Sequence, residues 1–234
     1  MLLIIGGYTK MSIQEKIKDI VATLPENVCL VAVSKTKPVE YIEEAYAGGQ
    51  RVFGENRPQE MAAKYSVLPK DIKWHMIGQL QVKNVKYIAP FVSLIHSVDS
   101  LKLLQKIENE AIKNERVIDC LLEFRIAEEE TKSGMTEEEA EILLSGEEYR
   151  KMSHIRIVGV MGVATNSDDN EKVRLEFRHL HDIFIRLRDS FFYGNNDFCE
   201  LSMGMSGDYK LAVEEGSTLV RIGSSIFGER VYNK

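Results

Sequence analysis

The segment CLVAVSKTKPVEYIEEAYAGGQRVFGE, residues 29–55, reads in turn as a strand, a helix and a second strand. CLVAVS at 29–34 is a short apolar run, the pattern of a buried strand. Pro38 suits the first turn of a helix over 39–47, and Gly48-Gly49 ends it. RVFGE at 51–55 then resumes the strand pattern. Two strands joined by a helix pair in parallel through a right-handed crossover.

The same alternation extends outward in both directions. Residues 12–24 form an amphipathic pattern, with Ile13, Ile17, Ile20, Val21 and Leu24 at helical spacing. The helix after 51–55 runs through about Tyr65, and WHMIG at 74–78 is the third strand, with a short helix near 81–88. LIHSVD at 94–99 precedes a long helix to about Asn114, and VIDCLLEFRI at 117–126 precedes one near 136–145. IRIVGVMGVAT at 155–165 leads into the helix 169–190, DFCELSMG at 197–204 into one near 207–215, and TLVRIGSSIFG at 218–228 closes the series. Eight strand–helix repeats in a chain of 234 residues favour an α/β fold of the closed (β/α)8 TIM-barrel type. An open doubly wound sheet is the alternative, but its GxGxxG turn is missing where SKTKP stands. The barrel domain is assigned to residues 11–234, with MLLIIGGYTK at 1–10 as an N-terminal extension.

Bulk properties narrow the function. A net charge of −6 argues against a nucleic-acid platform, which ordinarily carries a basic face. No apolar run reaches the roughly 18–20 residues of a membrane helix, and the N-terminus lacks the basic start of a signal peptide. Cys29, Cys120 and Cys199 lie in apolar stretches without a CxxC pair and are expected to be buried free thiols, as in a reducing cytoplasm. The five histidines show no metal-ligand spacing, and GMSGD is not a GxSxG elbow. The acidic runs at 128–130 and 137–139 read as solvated faces or helix starts.

In such barrels chemistry gathers where the strands end. Strand one ends in Ser34-Lys35-Thr36-Lys37. Val31, Val33 and Lys35 share one face by the period of two, which carries Lys35 to the barrel mouth. Partial desolvation there lowers an amine's pKa and suits it to attack an aldehyde. Lys37 has the same parity, so parity cannot choose, and Lys35 is preferred because it lies nearer the strand. Strands seven and eight end in SMGMSGD and RIGSSIFG. Gly204, Ser206, Gly207, Gly223, Ser224 and Ser225 offer backbone and hydroxyl donors where this fold customarily binds phosphate, aided by a helix starting after Ser206. Arg221 lies on strand eight with the parity of Gly223, either as an interior ion pair or as a donor to a ligand. Asn56 ends strand two beside Glu55, and His75 reads as a hydrogen-bonded core residue.

AVSKTKP, FGEN with a following QE, WHMIG-x-LQ, KSGM, SMGMSGD and VRIGSSIFG occur in order over residues 29 to 229. Together they resemble the pyridoxal-phosphate homeostasis proteins, barrels similar to the N-terminal domain of alanine racemase. The resemblance implies pyridoxal 5'-phosphate (PLP) held as a Schiff base on Lys35. It implies phosphate contacts from Met205, Ser206, Gly223 and Ser224, with Arg221 at the pyridine nitrogen and Asn56 near the ring. Arg221 does not give up its proton, so the pyridine nitrogen would stay unprotonated and the ring would be a weak electron sink. Three positions depart from the family pattern: Lys83 and Asn84 stand in reversed order, Arg57 replaces a frequent aromatic residue, and Ser224 a common threonine.

The resulting expectation is a cytoplasmic PLP-binding protein of PLP homeostasis, monomeric and without substantial catalysis. PLP-requiring apoenzymes are its expected recipients, and neither nucleic acid nor a membrane is an expected partner. A PLP-dependent amino-acid racemase is the alternative. It would need a second base that the racemase draws from a further domain, for which the few residues after Gly228 leave no room. A cofactor-free Schiff-base aldolase shares the lysine and phosphate site and differs in being colourless.

Overall fold

The eight apolar runs become eight strands: β1 Cys29–Val33, β2 Val52–Glu55, β3 Lys73–Met76, β4 Leu94–Val98, β5 Ile118–Phe124, β6 Ile155–Gly162, β7 Glu200–Met205 and β8 Leu219–Ile222. In this computed structural model, which describes residues 11–127 and 133–229, they form a closed barrel in sequence order with every pairing parallel. Closure is made by β1 on β8, with Cys29 opposite Leu219 and Val31 opposite Arg221. Residues 1–10 and the acidic run at 128–130 lie outside the described residues.

Strand alternation divides the core in two. Val31, Leu94, Leu121, Val158, Met161 and Leu219 pack together inside the barrel. Their neighbours Leu30, Ala32, Ile95, Cys120 and Val220 face outward into the larger core beneath the helices. The helices begin where their capping chemistry stands. Ser12 and Thr136 form reciprocal capping boxes with Glu15 and Glu139, and Asp169 caps the long helix Asn170–Phe191. Glu137, Glu138 and Glu139 occupy the first turn of Glu137–Ser145, as their charge favours. Among the described residues no helix is long and apolar enough to cross a membrane.

Three details differ from the sequence reading. The run 218–228 is a strand only to Ile222, after which Ser224–Phe227 makes a helical turn that buries Ile226 and Phe227. The helix after β7 starts at Tyr209 and is six residues long, so it does not follow directly on Ser206. Of the cysteines only Cys120 is buried; Cys29 is half-buried, and Cys199 is exposed because it precedes β7 at the barrel's lower rim.

Candidate binding site

A cleft of about 400 Å³ opens at the C-terminal mouth of the barrel. All seven residues singled out from the sequence line it: Lys35, Asn56, Met205, Ser206, Arg221, Gly223 and Ser224. Val33, Ile77 and Val163 supply apolar wall.

Lys35 is half-buried just beyond β1, and its loop is fixed from below. The ammonium of Lys64, on the helix Pro58–Val67, donates to the Ser34 carbonyl at 2.8 Å and to Glu55 Oε1 and Glu60 Oε1 at 2.7 Å each. Ser34 Oγ donates to Glu55 Oε1 at 2.6 Å, and the Thr36 amide donates to Glu60 Oε1 at 2.6 Å. The residues on both sides of Lys35 are therefore clamped. Burial pushes the Glu55 carboxyl upward, against the pull of Lys64.

Lys37 also lines the cleft, but its ammonium donates to the carbonyls of Gly228 and Glu229 at 2.9 and 2.8 Å. Between the two lysines Thr36 adopts φ 64°, an uncommon conformation for a β-branched residue. That left-handed residue breaks the period of two. Lys37 thus bonds across the seam between the first and last loops, and both lysines line the cleft.

Asn56 is held where β2 passes the turn after β3. A Cβ on Gly78 would meet the Asn56 carbonyl oxygen at 2.6 Å, so only glycine permits this approach. Asn56 Oδ1 is buried without a hydrogen-bond partner among the described residues. Buried polar atoms are ordinarily satisfied, and an orphan on a cleft wall marks a place for a ligand donor.

The two glycine-rich turns meet. Gly204 takes φ 91° with Ala212 Cβ 2.6 Å from where a Cβ would stand, and this folds the β7 turn tightly against the following helix. The Gly223 amide donates to Ser206 Oγ at 3.2 Å. The Met205 amide donates to Asp208 Oδ1 at 2.5 Å, so it is committed inside its own turn rather than to the cleft. No acceptor within the described residues takes the amides of Ser206, Gly207, Ser224 and Ser225.

Arg221 is buried yet reaches the cleft. Its Nη1 donates to Ser202 Oγ at 2.6 Å and its Nη2 to the Gly162 carbonyl at 3.0 Å. Among the described residues it makes no ion pair, and burial pushes its pKa down to about 10. His75 is buried and bonded, as a core histidine should be; its partner is His96 at 3.0 Å. Glu123, at the end of β5, is bonded by Ser133 Oγ at 2.8 Å and pushed upward by burial.

Lys83 and Asn84 sit in the 3-10 turn Val82–Tyr87, away from the cleft, and Asn84 Oδ1 accepts from Gln59 at 3.2 Å. Arg57 is exposed. Two groups of residues escaped the sequence reading: the Lys64 clamp and the Ser202–His96–His75 contacts. The Glu60–Lys64 spacing of four was the one local signal for the first.

The model of the alanine racemase N-terminal domain family matches residues 10–231. Named relatives align over almost the whole chain. The pyridoxal phosphate homeostasis protein of Aquifex aeolicus is 42% identical over 87% of each chain. That of Homo sapiens is 36% identical over 97% of this chain and 88% of its own. The chain belongs to the pyridoxal phosphate homeostasis protein family. Among solved structures, PipY of Synechococcus elongatus with PLP bound is 33% identical, with TM-score 0.84 over 93% of this chain and all of its own. Alanine racemase from E. faecalis is 14% identical, with TM-score 0.68 over 93% of this chain and 58% of that one, and shares the fold.

Proposed function

We propose that this protein binds PLP in the cleft, through an imine to Lys35, and serves PLP homeostasis without substantial catalysis of its own. The observation that carries the reading is the convergence of a half-buried lysine, an orphaned asparagine oxygen and two donor turns on one cleft. PLP supplies an aldehyde that condenses with an amine, and everything else is the work of the chain. The clamp of Lys64, Glu55 and Glu60 aims the Lys35 loop. The amides of Ser206, Gly207, Ser224 and Ser225 and the serine hydroxyls are suited to a phosphate. Arg221 can donate to a ring nitrogen without surrendering its proton. Gly223, with its amide on Ser206, shapes the turn more than it donates. Met205 offers side-chain wall.

The absence of strong catalysis is supported by the cleft's composition. Among the described residues its wall carries no histidine, tyrosine, cysteine or carboxylate beside Lys35 to move a second proton. The names of the relatives point the same way. The proposal includes a cytoplasmic monomer that yields PLP to PLP-requiring apoenzymes. The purified protein should absorb in the visible as an imine, and borohydride followed by peptide mapping should place a pyridoxyl-phosphate mass on Lys35. A colourless protein that gains no colour with added PLP would overturn the reading.

A further inference from the structure

A line of four buried polar side chains crosses the barrel interior. Arg221 stands at the cleft, and its Nη1 donates to Ser202 Oγ at 2.6 Å. Ser202 Oγ lies 2.9 Å from His96 Nδ1, and His96 Nε2 lies 3.0 Å from His75 Nδ1. Ser202 and His96 are fully enclosed, and His75 nearly so. His75 in turn lines a second cleft, of about 480 Å³, at the opposite mouth, together with Lys73, Asp119 and Arg156.

We propose that Ser202 and His96 are positioning residues for Arg221, and that this line is a one-way hydrogen-bond chain whose every proton is dictated from the Arg221 end. A guanidinium only donates. Ser202 Oγ must therefore accept from it. Among the described residues the hydroxyl's own proton has one remaining neighbour, His96 Nδ1, and goes there. His96 then carries its proton on Nε2 and donates to His75 Nδ1. His75 is left with its proton on Nε2, the ring nitrogen not engaged with His96. The opposite direction would place two protons between Ser202 and His96 or strand the hydroxyl proton in the apolar interior, where an unmade bond costs about 1–3 kcal/mol.

Both rings must be neutral for this order. Burial disfavours charge on each, with Arg221 and His75 opposing it at His96 and Lys73 at His75. Asp119 and Arg156 at the second mouth are bonded to each other at 2.8 Å, so the pair adds little net field there. Because Arg221 keeps its proton, the line cannot conduct one through to the cleft. It acts as a fixed row of dipoles that, with Gly162, holds the guanidinium plane and leaves its other N–H groups for the ligand. This last consequence rests on the proposed binding of PLP; the proton order does not.

The test uses the full chain labelled with 15N in its histidines. Long-range 1H–15N spectra at pH 7, without added PLP, should show His75 and His96 neutral and protonated on Nε2. A proton on Nδ1 of either ring, or a charged His96, would overturn the chain. Ser202→Ala should return His96 to mixed tautomers, weaken PLP binding about ten-fold and shift the visible band; Ser202→Thr, which keeps the hydroxyl, should restore all three. Melting curves of each variant identify any that fails to fold. A folded Ser202→Ala protein with unchanged affinity and band would refute the positioning role. The expected tautomers in a protein that never binds PLP would uphold the chain and sink the proposed function instead.

Discussion

The amide of Gly223 donates to the hydroxyl of Ser206 across 3.2 Å, so the turns after β7 and β8 are bonded to each other within the protein itself. Ser206 accepts on that side, and its own proton is left to point elsewhere. The two turns proposed to seat the phosphate are therefore one preassembled unit rather than two independent loops.

Ser206→Ala removes both the tie and a hydroxyl donor. It should weaken PLP binding by roughly 1–3 kcal/mol, whereas Ser224→Ala, which removes a hydroxyl alone, should cost less. Fluorescence titration with PLP and with pyridoxal separates the effects: pyridoxal, which has no phosphate, should bind weakly to the unmodified protein and lose little further in either variant.

The lysine assignment is directly checkable. Lys35→Ala should abolish borohydride labelling, while Lys37→Ala should keep it, because Lys37 is engaged with the carbonyls of Gly228 and Glu229. Mapping of the label to Lys37 would reverse the assignment.

Much of this was legible in the sequence, and for a definable reason. The barrel follows from local periodicity and punctuation, and the cleft from the rule that strand ends converge. What could not be read locally depends on which side chains the closed barrel brings together. Ser202 and His96 are 106 residues apart, and His96 and His75 are on neighbouring strands 21 residues apart. Period alone says which face each occupies, not at which height they meet. The buried Lys64 was hidden for another reason: on a helix a lysine reads as solvated, and only the two glutamates facing it show otherwise.

Lys64→Met should be severe. The Lys64–Glu55 pair is almost wholly enclosed, and removing the cation strands a buried carboxylate. A loss of about 3–5 kcal/mol is expected in urea unfolding. The additional change Glu55→Gln should recover part of it by removing the stranded charge.

Acid should destabilise the fold through the buried histidines. In the unfolded chain they take up protons below about pH 6.5, whereas burial holds His75 down to about 3 and His96 well below its usual range. The unfolded state therefore binds more protons in that window, and stability, fully present above it, falls as pH drops. The slope is about 1.4 kcal/mol per pH unit for each histidine. Glu55 and Glu123, pushed upward, act in the opposite sense above about pH 4.5. Urea unfolding between pH 5 and 7 should show a slope for His75→Gln shallower by about one proton.

The PLP-loaded protein, given a panel of L- and D-amino acids in deuterated water, should exchange α-protons hardly faster than free PLP. Exchange at about 1–10³ per second that vanished in Lys35→Ala would make it an enzyme.

The cleft takes Lys35 and Asn56 from the early part of the chain and Ser206, Arg221 and Ser224 from the late part, and β1 pairs with β8 to shut the barrel between them. A polypeptide still emerging from the ribosome thus carries Lys35, the proposed imine lysine, long before it carries the turns proposed to seat the phosphate. On the proposed site, a seat with both halves in place therefore awaits the synthesis of β8.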